Sequence, residues 1–334
     1  MPAESAQPPA EPAPRGALAP VAVAVISFNT RDLLEGCLHS LAADARKGRA
    51  EVWVVDNASV DGSAAMVRES FPWVRLVANP DNRGFGAAVN QVALRTDTPW
   101  IAAANADIEL TPGALERLLH AGMRHPGAAA LAPRLLLADG SVQHSIHSFP
   151  TVRLALAFNL GIHRFVPGLG DRLGLLGYWD SNRPRRVDWA IGAFLLVRRS
   201  AWTQVGGFDP AQWMYAEDLD LGWRLDRAGW TTRFEPAAAV HHRASAATAA
   251  AWGEQRHERW LTSTYAWLLR RRGWWVARTV AVVNLAGAGV RWLTFDALAR
   301  LAPTRFGPRR DAYGHWVDLH SRVGLSSARR LGRG

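Results

Sequence analysis

A chain of 334 residues with 49% hydrophobic and 20% charged side chains can bury a large core, which excludes a disordered or fibrous protein. One cysteine, Cys37, excludes an internal disulfide or a cysteine-rich metal site and fits a reducing cytoplasm. The formal charge of +10 is unevenly placed: residues 243–334 hold 16 arginines, no lysine and 5 acids, whereas residues 1–242 hold 23 basic and 24 acidic groups. The part of the chain that seeks anions is its last quarter.

Residues 1–20, MPAESAQPPAEPAPRGALAP, are rich in Pro and Ala without periodicity. They read as a disordered leader and lack the apolar core of a secretory signal. VAVAVI (Val21–Ile26) is a short apolar run of buried-strand type, followed by a polar SFNT and an amphipathic helix over Arg31–Ala45. EVWVVD (Glu51–Asp56) is a second such strand, and turn-forming NASVDGS leads to a helix over Ala64–Ser70. A strand over Val74–Ala78, a helix over Ala87–Arg95 and the strand WIAAAN (Trp100–Asn105) come next. This alternation predicts βαβ units and a doubly wound, mostly parallel sheet flanked by helices. Such sheets bind ligands at the carboxyl ends of their strands, where Asn29, Asp56, Asn57, Asn105 and Asp107 cluster.

Residues 133–186 are less regular. VDWAIGAFLLVRR resumes a strand pattern with a break at Gly192-Ala193, read as a loop toward the donor or acceptor group. AEDLDLGWRLDRAGW is an amphipathic helix on which Asp220 and Asp226 read as surface charges, and TTRFEP and AAVHH read as two short closing strands. From Ala246 the chain is helical and rich in Trp and Arg. The organisation expected is a leader at 1–20, an α/β unit at 21–245 and a basic helical extension at 246–334.

Several strand tips carry chemistry. Asp56 and Asn57 can accept and donate hydrogen bonds to a nucleoside, or cap the next turn as Asx residues do. Asp107, closing Asn105-Ala106-Asp107, is a hard oxygen ligand of the kind a phosphate-bound divalent cation needs. Glu217 and Asp218 open a helix, where carboxylates are favoured by the macrodipole, and one of them can serve as a general base. His241 and His242 follow a strand and point to opposite faces, so one of them can complete a metal shell or simply be buried. Gly84-Phe85-Gly86, after Asn82, can bring backbone N–H groups near a phosphate.

The order of these pieces resembles glycosyltransferase family 2, in particular its rhamnosyltransferase-like branch. The resemblance rests on VAVAVISFNTRDLLEGCLHSL, EVWVVDNASVDGSAAMV, NPDNRGFGAAVNQ, ANADIELTPGALERLL and VDWAIGAFLLVRRSAWTQVGGFDPAQWMYAEDLDLGWRLDRAGW, and covers Val21 to His242. It implies an α/β GT-A fold and an inverting transfer of a hexose, rhamnose favoured, from a nucleotide-diphosphate sugar to a glycan or polyprenyl-diphosphate-linked hydroxyl. Mg²⁺ or Mn²⁺ is the implied cofactor. Position by position, Ser27, Asn29 and Asp56 match the nucleoside site and Asp107 the last carboxylate of the metal-binding motif. Asp218, beside Glu217, matches the catalytic base, and His241, slightly preferred, or His242 matches a metal ligand of some relatives. Asn105 replaces the first Asp of a strict DxD, so metal affinity is expected to depend on the donor. The alternative is a catalytically weak sugar-nucleotide-binding or membrane scaffold.

Seven of the 16 tryptophans lie at or after Trp252, and only twelve residues separate Arg278 from Arg291. A spanning helix needs ~20 apolar residues. The segment fits instead a helix lying on an anionic membrane surface, where each arginine adds ~1 kcal/mol, or a helical hairpin packed on the α/β unit; nucleic acid is disfavoured. The expected place is the cytoplasm, at the inner face of the cell membrane. Arg153, Arg164, Arg183, Arg185 and Arg186 are expected to meet an acceptor diphosphate.

Overall fold

Alternation along the first strand, β1 (Val21–Ser27), sets up both faces of the central sheet. Val21, Val23 and Val25 enter one core and Ala22 and Ala24 the other, and all five are fully buried. The computed structural model describes residues 18–243 and 255–324. Most of the expected leader and the junction at 245/246 lie outside the described residues.

Strand and helix alternate through α1 (Arg31–Arg46), β2 (Ala50–Asp56), α2 (Ser63–Ser70), β3 (Arg75–Ala78), α3 (Phe85–Ala93) and β4 (Trp100–Asn105). They are followed by β5 (Ile108–Leu110), α4 (Ala114–Arg124) and β6 (Ala128–Leu136). The irregular stretch holds β7 (Ile146–His147), α5 (Val152–Asn159) and the short α6 (Leu169–Arg172). Then come β8 (Arg185–Val187), β9 (Trp189–Ala190), β10 (Phe194–Arg198), α7 (Arg199–Val205), α8 (Glu217–Arg227) and β11 (Thr231–His242). The extension is helical: α9 (Gln255–Arg272), α10 (Trp274–Leu301) and α11 (Pro303–Leu319).

The main sheet runs β3-β2-β1-β4-β10-β6-β11-β5, with β8 also on β11. The half β3-β2-β1-β4 is parallel, and β10 enters antiparallel between β4 and β6. Registers place the polar ends side by side: Ser27 opposite Asp56, and Ile26 opposite Asn105. The two closing strands expected from the sequence are one, β11, with an irregularity between Glu235 and Ala239. Cys37 lies fully buried beneath these tips, its Sγ 3.9 Å from the Asn105 carbonyl oxygen. Burial, aided by Asp107 and Glu109, pushes its thiol far above the ordinary range.

The extension packs on the α/β unit. Leu261, Trp267, Leu268, Ala277 and Val280 share a core with Trp189, Ala216 and Leu219. At its centre sits Asp220, which is fully buried and not a surface charge. Its Oδ2 accepts from Arg224 Nε at 2.6 Å, and its Oδ1 from Arg271 Nε at 2.7 Å and Trp267 Nε1 at 3.1 Å. Arg271 also donates to Asp209 at 2.7 Å. The reason is tertiary: α9 covers the face of α8 that a lone helix would expose. Asp226 stays at the surface, paired with Arg186 at 3.1 Å. Arg185 is held by Asp171 at 2.7 Å, with Arg183 3.8 Å from the same carboxylate. Three of the five arginines expected to meet an acceptor diphosphate are therefore engaged within the protein.

Candidate active site

The carboxyl ends of β1 and β2 form the first wall. Asp56 is 3% exposed; its Oδ2 accepts from the Ser59 N–H at 3.1 Å, whereas its Oδ1 is buried without a partner. A buried acceptor left unsatisfied is destabilising, and this one can accept from a hydroxyl or imide. Around it the loops are locked by their own amides. Asn29, in the left-handed region at φ 52°, accepts from the Val60 N–H at 2.9 Å and ties the first loop to the second. Ser27 Oγ bonds Thr30 Oγ1 at 3.0 Å.

Asn57 donates to the Gly84 carbonyl at 3.3 Å and accepts from Asn79 at 2.9 Å, which in turn accepts from Gln91 at 3.1 Å. Asn57 thus braces the strand tips against α3. Asn82 Oδ1 takes the Gly84 N–H at 2.9 Å, which closes the loop ahead of α3. Glycine is needed at 84 for a different reason: φ is 80°, and a Cβ would stand 2.7 Å from the Trp213 carbonyl oxygen.

The second wall is the tip of β4 and the end of β11. Asp107 and His242 are both buried, with Asp107 Oδ1 3.3 Å from His242 Nε2. Asn105 Nδ2 lies 3.4 Å from the same nitrogen. His241 is exposed on the other side of the strand, which corrects the slight preference for it. Val240 is fully buried and shares a face with His242 two residues on, a signal readable from the alternation of a strand. His242 Nδ1 meets Gln143 Oε1 at 2.7 Å, which orients the ring with Nε2 toward Asp107. Nε2 and Oδ1 are thereby set side by side, a nitrogen and an oxygen that a divalent cation can take as ligands. Among the described residues no three His, Cys, Asp or Glu side chains converge on a metal position. The pair therefore fits a cation that completes its shell with donor phosphate oxygens and water.

The third wall is the start of α8. Asp218 Oδ2 accepts from the Gly192 N–H at 3.1 Å and its Oδ1 from the Leu219 N–H at 2.8 Å. Burial raises the Asp218 pKa above the ordinary carboxylate range. Burial and the neighbouring Asp218 charge together raise that of Glu217 further, although its Oε2 accepts from the Ala216 N–H at 3.0 Å. Because the neighbouring charge adds to burial at Glu217, Asp218 is the member that ionises first. One loop joins this wall to the second: the Gly192 N–H binds Asp218, and the Ala193 carbonyl accepts from the Asn105 N–H at 2.9 Å. Asp56, Asp107 and Asp218 are thereby brought to one edge of the sheet. Gln143 and Asn79, absent from the sequence reading, have no local signal; Gln143 is 99 residues from the histidine it orients.

The family model for glycosyl transferase family 2 matches residues 22–190. The chain is 35% identical over 273 residues to N-acetylglucosaminyl-diphospho-decaprenol L-rhamnosyltransferase of Mycobacterium tuberculosis, covering 76% of this chain and 86% of that protein. It is 40% identical over 87 residues to rhamnosyltransferase WbbL of Escherichia coli, covering 26% of this chain and 32% of that protein. Among solved structures, mannosyltransferase PcManGT from Pyrobaculum calidifontis, in complex with GDP-Man and Mn²⁺, aligns with a TM-score of 0.55 at 19% identity, over 93% of this chain and 88% of that one. This likeness establishes the GT-A α/β fold. The chain belongs to glycosyl transferase family 2, in its rhamnosyltransferase-like branch, and is a glycosyltransferase.

Proposed function

We propose that the chain transfers L-rhamnose from a nucleotide-diphosphate donor to a sugar hydroxyl of a polyprenyl-diphosphate-linked acceptor, with inversion, in cell-envelope polysaccharide assembly. The observation that carries the catalytic part is the Gly192-Ala193 loop, which couples the candidate base Asp218 to the Asn105–Asp107 tip by two backbone hydrogen bonds. The names of the relatives supply the donor sugar and the acceptor class. Asp56 Oδ1 receives the nucleoside. Asp218 takes the proton from the acceptor hydroxyl, whose oxygen attacks the anomeric carbon as the bond to the diphosphate oxygen breaks on the opposite side. Asp107 and His242 would hold Mg²⁺ or Mn²⁺, which offsets the negative charge that develops on the leaving diphosphate. A cavity of about 560 Å³ beside the loop entering α8, bordered by Arg259, Arg270 and a Glu258 that is held by Arg322 at 3.3 Å, can take the acceptor diphosphate. The enzyme works from the cytoplasm at the inner face of the membrane that carries this acceptor.

The test is transfer from a panel of dTDP-, UDP- and GDP-linked sugars to a polyprenyl-diphosphate N-acetylglucosamine, read by product mass. Rhamnose incorporation is expected, and selective incorporation of another sugar refutes the donor assignment. Chelation should abolish transfer and Mn²⁺ restore it. Gln143→Leu, which frees the His242 ring, should raise the Mn²⁺ concentration for half-activity by ~10-fold or more; an unchanged requirement removes His242 as a ligand. Because the base must be ionised, kcat/KM should fall as pH drops through the raised Asp218 value. That limb should lie above the ~4 of an ordinary carboxylate. A profile flat down to that value counts against Asp218.

A further inference from the structure

Helix α10 is apolar on two opposite sides. Ala277, Val280, Ala281 and Ala288 are buried against the rest of the protein. Trp275, Val282, Val290, Leu293 and Leu301 face solvent, at 77, 48, 64, 61 and 84% exposure. Thr279, Ala286 and Ala297, also exposed, fill the steps between them. The result is an uncharged solvent-facing stripe repeating every three or four residues over ~39 Å of helix. Stripes of this kind on a soluble surface mark a docking site.

A second apolar segment is fastened to the same helix, along the flank of Asn284, Gly287 and Arg291. Leu160, Phe165 and Val166, just after α5, are 67, 83 and 44% exposed. Asn159 anchors this segment by donating to Asn284 Oδ1 at 2.8 Å and accepting from Arg291 Nη1 at 2.9 Å. Arg291 Nη2 also donates to the Phe158 and Asn159 carbonyls at 3.2 Å, and any Cβ at Gly287 would overlap the Asn159 amide. Neither residues 151–170 nor residues 274–295 contain an acid, while they hold Arg153, Arg164, Arg278 and Arg291. Arg153 and Arg164 are exposed and have no ion-pair or hydrogen-bond partner among the described residues.

We propose that the outer stripe of α10, flanked by the 156–166 segment, docks on an anionic lipid bilayer surface. Apolar side chains edged by arginine, with tryptophan at one end, match the boundary between acyl chains and phosphate headgroups. Among the described residues no helix is long and apolar enough to cross a membrane, so the helix lies on the surface. A second copy of the chain is the poorer match. It would set the same arginines against one another, and the one acid of α10, Asp296, is already held by Arg300 at 2.9 Å. The inference rests on the lipid-linked acceptor reading for its purpose, since docking brings the enzyme to the surface where that acceptor lies.

The experiment is flotation of the full chain with vesicles of phosphatidylcholine plus phosphatidylglycerol, and with phosphatidylcholine alone, at low salt. The variants are Val290→Asn/Leu293→Asn and Leu160→Ser/Phe165→Ser. The intact chain should bind the anionic vesicles, and each double variant should bind them roughly tenfold or more weakly, with unchanged thermal melting. Transfer to a short-chain soluble acceptor should be equal for all three. Failure of the intact chain to float overturns the proposal, as does equal flotation of the variants. Lipid-independent self-association that the variants abolish, without flotation, overturns it in favour of a second copy. Normal flotation without transfer to the soluble acceptor supports docking and counts against the acceptor reading alone.

Discussion

Asp218→Asn is expected to lower kcat by ~10³-fold, the range of a positioned general base, while donor affinity stays within a factor of two. The expectation follows from where the carboxylate stands. Both of its oxygens are held by backbone N–H groups, of Gly192 and Leu219, so the side chain is fixed and aimed before substrate arrives. Burial raises its proton affinity toward working pH, which makes it a better base than an exposed aspartate. Asparagine has nearly the same shape but cannot take the proton. Donor binding should survive, because Asp56 and the Asp107–His242 pair lie on other elements than α8. Donor affinity by titration and kcat by product formation separate the two. Full turnover in the variant sinks Asp218 as the base, and loss of both quantities together points to a collapsed site.

The largest loss of stability is expected from Asp220→Ala, by about 3–5 kcal/mol, the cost of stripping one partner from a buried charged network. In a protein of this size that lowers the melting temperature by roughly 10 °C. Asp220 is fully buried and serves three donors, on Arg224, Trp267 and Arg271. Without it Arg224 loses its counter-charge and Arg271 one of its two, at the seam between α8 and α9. Arg224 keeps the Val205 and Gly207 carbonyls and Arg271 keeps Asp209, so the fold should persist. Asp220→Asn retains an acceptor and should cost less. A cycle with Arg271→Ala measures the coupling directly. Additive losses, with no coupling between 220 and 271, would contradict this account. Since Asp220 lies two residues from Asp218, the alanine variant should also lower kcat.

How much of this was legible in the sequence depends on the distance over which each decision is made. β1, β2 and β4 announce themselves as apolar runs ended by polar residues, and the structure bounds them within a residue or two of that reading. Their parallel pairing then puts Ser27, Asp56 and Asn105 at one edge without further information. Asp218 was legible in the same way, as a carboxylate opening a helix. The choice of His242 over His241 was within reach by alternation from Val240. Asp220 was not, because nothing within α8 distinguishes a solvated carboxylate from one that a helix about fifty residues on will cover. The tail arginines show the same limit. Composition marks a surplus of positive charge, but Arg271, Arg300 and Arg322 are paired with acids of their own chain. The unpaired cations beside the apolar face, Arg153 and Arg164, come from the irregular middle of the sequence, where no periodicity assigns them a surface.

The buried thiol at position 37 has a practical consequence for spectroscopy. A sulfhydryl sealed under the sheet and held protonated will not react with maleimides, and the chain contains no other. A cysteine introduced anywhere on the exterior is then the sole attachment point for a fluorophore or spin label. Distances and polarity changes during a catalytic cycle can be followed in otherwise native protein, with no background substitution.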